Sequence, residues 1–243
     1  MQTSSGAKLD FGRVALLLLF LGAGWYFWDS PVLWPLKVLV VMVHESGHAL
    51  ATLLAGGSVD RITLAANDSG ACLSRLPSSM MAQVAVYSAG YVGSALAGAF
   101  LLLATFRFRL RRLVLFVACV GLGVMGVLYA GDSVTLALCL GTALVMGLAA
   151  KYLPDGGVDM LNLFLAAFTA LYVAFDLRSV LGHGATSSAS DASLLANLTP
   201  VPSWAWAGIW SFVSLALLGL FARWSLRAAR PEGLGHSLIS SRR

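Results

Sequence analysis

Seven stretches of the chain are long and almost uninterruptedly apolar, at 12–28, 32–55, 81–106, 113–130, 133–150, 157–180 and 203–224. A helix needs about 20 apolar residues to cross the hydrocarbon core of a bilayer, so this pattern predicts six or seven transmembrane helices. The first stretch has Lys8 and Arg13 ahead of its apolar core, like a secretory signal. It ends, however, in Trp25-Tyr26-Phe27-Trp28, an aromatic interfacial anchor with no small-residue cleavage site, and reads as a retained helix. Polar residues break the pattern twice. Residues 56–80 hold an alternating run, Val59–Leu64, the turn signal Asn67-Asp68-Ser69-Gly70 and a second short run, Ala71–Leu73, which together predict a β-hairpin. Residues 183–202 are small and polar and read as a loop, and a basic tail occupies 225–243. No repeat or separate soluble unit is visible. The expectation is one integral domain over 1–243, an all-α polytopic membrane protein with a small re-entrant β-hairpin.

Composition supports this and narrows it. Of 243 residues, 58% are apolar and 11% charged, with a mean hydropathy of +0.82. Soluble domains carry about 25% charged residues, and disordered chains are poorer still in apolar ones, so both classes are excluded. Cys72, Cys119 and Cys139 are odd in number and scattered, which excludes a disulfide scaffold. The net charge of +5 gathers at the ends of apolar runs. Arg107, Arg109, Arg111 and Arg112 form one cluster, and Arg223, Arg227, Arg230, Arg242 and Arg243 another. Such clusters mark cytoplasmic ends of spans, and no aromatic-basic module accompanies them, so a nucleic-acid partner is not expected. With seven spans and these runs inside, the N-terminus lies outside and the C-terminus inside, whereas Lys8 and Arg13 favour the opposite placement of the first helix.

The chemistry sits inside the second apolar run, in VMVHESGHALATLL. His44 and His48 are spaced i, i+4 and therefore share one face of a helix, where both imidazoles can ligate a single Zn²⁺. Glu45 then lies beside the open coordination position, placed to act as general base on a water made acidic by the metal. Random placement of four His and two Glu would produce HExxH in roughly five of ten thousand such chains. Ionisable groups at membrane depth are costly and normally face an interior with a task to perform.

HESGHALATLLAGG within a membrane helix resembles the site-2 protease family of zinc intramembrane metallopeptidases, its short multispanning branch in particular. The glycine-bearing segment SAGYVGSALAGA at 88–99, the helix end ALYVAFDL with Asp176, and Ser190-Asp191-Ala192 before a Trp-containing last helix follow in the same order, so the resemblance covers about 35–215. It implies zinc on His44 and His48, Glu45 as general base, and an aspartate from a later helix as third ligand. The usual LDG or NPDG setting of that aspartate is missing. Asp176, deep in an apolar helix, is the expected ligand. Asp155, in Leu153-Pro154-Asp155-Gly156, and Asp191 remain the alternatives, and an interfacial pair with Arg178 is the other role open to Asp176. His183 and His236 have no ligand partner at useful spacing and read as unliganded.

Gly90, Ser94 and Gly98 repeat at i, i+4, i+8, which lets helix backbones approach closely, either beneath the zinc helix or in general membrane packing. The hairpin offers a strand edge for an unwound substrate, and the family resemblance supports a re-entrant sheet; a plain connecting loop is the alternative. The expected function is a zinc-dependent endopeptidase of a multi-pass, plasma-membrane type. It acts on peptide bonds in or near the transmembrane segments of other membrane proteins, with the bilayer itself as the other partner. A non-proteolytic bundle, either a transporter or a metal-binding scaffold, is the rival.

Overall fold

The computed structural model describes residues 9–65, 69–183 and 190–227, with the side chains of 176–183 outside that description. The elements are α1 (Phe11–Phe27), α2 (Trp34–Leu54), β1 (Ser58–Leu64), β2 (Gly70–Arg75), α3 (Met80–Leu102), α4 (Arg111–Tyr129), α5 (Ser133–Tyr152), α6 (Asp155–His183), α7 (Asp191–Leu198) and α8 (Ser203–Ser225). Local chemistry sets several boundaries. Asp10, Asp132 and Ser190 accept from backbone N–H groups of the first turns of α1, α5 and α7, which satisfies donors that the helix cannot. Pro35 sits at the start of α2, where its missing N–H costs nothing. A π-turn over Leu103–Arg107 ends α3, and Arg109 adopts φ 56° in the link to α4.

Among the described residues, six helical segments are long and apolar enough to cross a membrane: Pro31–Leu54, Met80–Arg107, Arg111–Tyr129, Ser133–Tyr152, Asp155–Phe175 and Ser203–Ser225. The chain is a polytopic all-α membrane protein with a two-stranded antiparallel hairpin, as its hydropathy pattern predicts. The first expected span is α1, whose 17 residues make a helix only about 25 Å long. It runs parallel to α6: the ring of Phe20 meets Phe164 at 5.1 Å, and Trp28 stacks on Phe175 at 4.0 Å. α3 runs antiparallel to α6, since Asn162 near the start of α6 donates to Thr105 Oγ1 at 2.9 Å and Gly98 lies against Ala166 and Thr169.

The backbone N–H of Asp10 donates to Leu226 O at 2.7 Å, so the two described ends of the chain meet on one face. This corrects the seven-span expectation of an N-terminus outside and a C-terminus inside. Among the described residues six segments have the length and apolarity of a span, and Phe11–Phe27 is a shorter apolar helix beside them.

The hairpin pairs Val59 with Ser74 and Leu64 with Gly70, with a bulge at Asp60. Its outer β1 edge is anchored to the α4–α5 connection. Gly131 N donates to Ile62 O at 2.8 Å, and Leu64 N donates to Thr135 Oγ1 at 2.9 Å. That leaves the β2 side facing the interior. The stretch 183–202, expected to be a loop, contains the eight-residue helix α7.

Candidate metal centre

The motif on α2 is buried: His44, Glu45 and His48 are 4%, 5% and 6% exposed. The i, i+4 spacing brings the imidazoles together, with His44 Nε2 3.0 Å from His48 Nε2. A carboxylate oxygen completes the triangle. Asp191 Oδ2 lies 3.0 Å from each Nε2. Asp191 arrives there because Ser190 caps α7, placing its neighbour in the first turn, where the helix dipole also favours a carboxylate.

The tautomer of His48 is fixed by an acceptor-only partner. Its Nδ1–H donates to Val86 O at 2.7 Å, so the Nε2 lone pair is aimed at the triangle. The ring of His44 is wedged edge-on between Tyr91 at 4.5 Å and Tyr172 at 5.2 Å, centroid to centroid. α3 reaches the pair only because position 90 has no side chain. A Cβ on Gly90 would lie 2.5 Å from His44 Nε2 and still closer to His48 Nε2. Gly47 repeats the device from α2, where a Cβ would meet Ala89 O at 2.5 Å. Of the small-residue pattern on α3, Gly90 therefore serves the helix of the histidine pair, whereas Gly98 serves the packing against α6.

Three lone-pair-bearing atoms 3 Å apart repel one another unless a proton or a cation lies among them. Two imidazole nitrogens and one carboxylate oxygen are the donor set of a catalytic zinc site, in which ligands about 2.0–2.2 Å from the ion stand a little over 3 Å from each other. His44, His48 and Asp191 form the group among the described residues that could hold a metal ion. The residues fit the ion. The Asp191 carboxylate lies 3.0 Å from both imidazoles, whose proximity favours its ionised form. It is therefore ready as an anionic ligand.

Glu45 points into the same cavity, of about 710 Å³, which the residues from Ser69 to Ser74 of the hairpin also line. The Cys72 backbone hydrogen-bonds Glu45, and a Cβ on Gly70 would lie 2.7 Å from Glu45 Oε1, so β2 is laid against the glutamate. Burial pushes the Cys72 thiol up to about 11, so on its own it stays protonated near neutral pH.

The structure sorts the expected aspartates. Asp155 is paired with Arg112 at 2.6 Å and Arg111 at 3.4 Å, seventeen positions before the Tyr172 that touches His44, or about 25 Å along α6. It is a surface ion pair, not a ligand. Asp176 lies on α6, but its side chain is outside the described residues, as are those of His183 and His236. The carboxylate that does meet both imidazoles is that of Asp191, which the sequence ranked behind Asp176. Its signal was the Ser190-x-x-Ser193 cap, a helix start inside a polar stretch.

No curated protein and no solved structure matches the chain. The profile of the family described as Peptidase M50B-like matches residues 16–221, from within α1 to within α8. With its HExxH imidazoles and a later aspartate converging inside a six-span bundle, this chain belongs to the Peptidase M50B-like family, a site-2 protease-like family of membrane peptidases.

Proposed function

We propose that the protein is a zinc-dependent endopeptidase that cuts peptide bonds in or beside the transmembrane segments of other membrane proteins. The observation that carries this reading is the convergence of His44, His48 and Asp191 on one point beside Glu45, at membrane depth. Zinc bound there supplies Lewis acidity, which brings a water to hydroxide near neutral pH and polarises the scissile carbonyl. Glu45 takes the proton from that water and delivers it to the leaving amine. Val86 holds His48 in the ligating tautomer, and Tyr91 and Tyr172 hold the His44 ring.

A peptide bond wrapped in helical hydrogen bonds is closed to attack, so the substrate has to unwind. The inward side of β2, beside Glu45, offers backbone partners to an extended chain, as in strand addition to a sheet edge.

The test uses the full chain purified in detergent, with bound zinc and cleavage of a membrane-spanning reporter measured side by side. Glu45→Gln is expected to keep its zinc and lose at least about a hundredfold in cleavage, the usual contribution of a positioned general base. Equal cleavage by both proteins would overturn the mechanism.

A further inference from the structure

The histidine pair and the aspartate come from elements far apart in the chain, so something has to hold α7 in place against α2. α7 has eight residues, too few for a helix to keep its own shape, and its position depends on what it docks against. One hold is at its far end. Thr199 Oγ1 donates to Leu195 O at 2.7 Å and accepts from the indole N–H of Trp206 at 3.1 Å, which closes the corner where Pro200 and Pro202 turn the chain from α7 into α8. Asp191 begins the helix that Thr199 caps, about 12 Å away along the axis. A tilt of about 10° at that corner would carry the carboxylate about 2 Å, a whole metal–ligand bond length. The corner alone is too remote to fix the ligand.

Trp210 supplies a nearer hold. It follows Trp206 by one helical turn, on the same face of α8, and is 2% exposed. Its ring stacks on that of Tyr91 at 4.4 Å and 22°, and Tyr91 in turn meets the His44 ring at 4.5 Å. The same indole belongs to a buried cluster with Ala192, the residue after the aspartate, and Leu195, one turn further on. This cluster is separate from the main core of the bundle. One side chain therefore packs toward both ligand-bearing elements, toward His44 through Tyr91 and toward Asp191 through α7. Its neighbour Ser211 donates to Val173 O at 3.3 Å, which ties this turn of α8 to α6 beside Tyr172, the other wall of His44.

We propose that Trp210 is a positioning residue of the metal centre, which holds His44 and Asp191 in register with each other. This rests on the metal part of the peptidase reading, and the test reads metal rather than cleavage. The full chain in detergent is stripped of metal and titrated with Co²⁺, whose visible absorption is strong in a four-coordinate site and weak in a six-coordinate one. Trp210→Leu keeps an apolar side chain and loses the stack. Its Co²⁺ affinity is expected to fall by about tenfold or more, the scale seen when groups that orient metal ligands are removed, with absorption weakened toward that of Asp191→Ala. Trp210→Met, whose flexible side chain refills the space without a ring, is the second variant and is expected to behave alike. Trp210→Phe keeps a ring to stack and is expected to stay within about threefold of wild type. Leu115→Ala empties a fully buried position of the main core on α4, and is expected to lower Tm while leaving affinity and spectrum unchanged. Wild-type affinity and spectrum in Trp210→Leu or Trp210→Met, or an equal fall in affinity in Leu115→Ala, would overturn the positioning role and leave the metal centre standing. No Co²⁺ uptake by wild type would overturn the metal centre itself, and the proposal with it.

Discussion

At position 90 the chain tolerates no side chain at all. The methyl of alanine would stand within van der Waals overlap of both metal-facing nitrogens, and the nearest atoms belong to rings pinned by Val86, Tyr91 and Tyr172 rather than to flexible ends. Gly90→Ala is therefore expected to reduce zinc binding by at least tenfold while helix content stays unchanged, because alanine is a better helix former than glycine. Zinc titration with circular dichroism on the same sample checks this, and full zinc affinity in the variant would contradict the packing account. The residues of the site differ in how openly the sequence announced them. His44, Glu45 and His48 are legible because helical periodicity alone places them together. Asp191 is 143 positions from His48, and no local pattern reports a meeting that depends on how α7 docks. Asp176 drew attention for its apolar surroundings, a cue about cost rather than about contact.

The hairpin shows the same division one level up. Alternation and the Asn67-Asp68-Ser69-Gly70 turn signal gave both strands, β1 to within a residue and β2 as a run that proves longer by one residue at its start and two at its end. What the pattern could not show is where the sheet is tied. Thr135, at the start of α5, accepts from Leu64 N and donates to Asp132 Oδ2, so one hydroxyl joins the hairpin to the helix cap. Thr135→Val keeps the shape and removes both bonds. The expected cost is about 1–3 kcal/mol, the range for leaving one buried donor, the Leu64 N–H, unsatisfied, since Asp132 is exposed to water. A larger effect is expected on cleavage than on zinc affinity, since the hairpin touches Glu45 and the substrate path but supplies no ligand. Thermal unfolding, zinc titration and reporter cleavage separate these effects; equal losses in affinity and cleavage would contradict the assignment. The short helix α7 escaped notice because eight residues between polar stretches carry too little periodicity to stand out.

On the scale of the molecule, hydropathy dictated the bundle and the family profile agrees with it over most of the chain. The count of crossings was less secure, because α1 is apolar enough to belong to the membrane and too short to settle the parity of spans. The meeting of Asp10 with Leu226 puts both described ends on the face that also carries Arg13, Arg111, Arg112 and Arg227. The histidine pair lies well away from that face, near the far part of α6, where α7 can swing its aspartate across.

The most direct measurement is the zinc stoichiometry of the purified chain, compared among wild type, Asp191→Ala and Asp176→Ala. One zinc per chain is expected in wild type and in Asp176→Ala, with a loss of at least tenfold in affinity in Asp191→Ala. Zinc held undiminished without Asp191, or lost on removal of Asp176 alone, would contradict the centre described here.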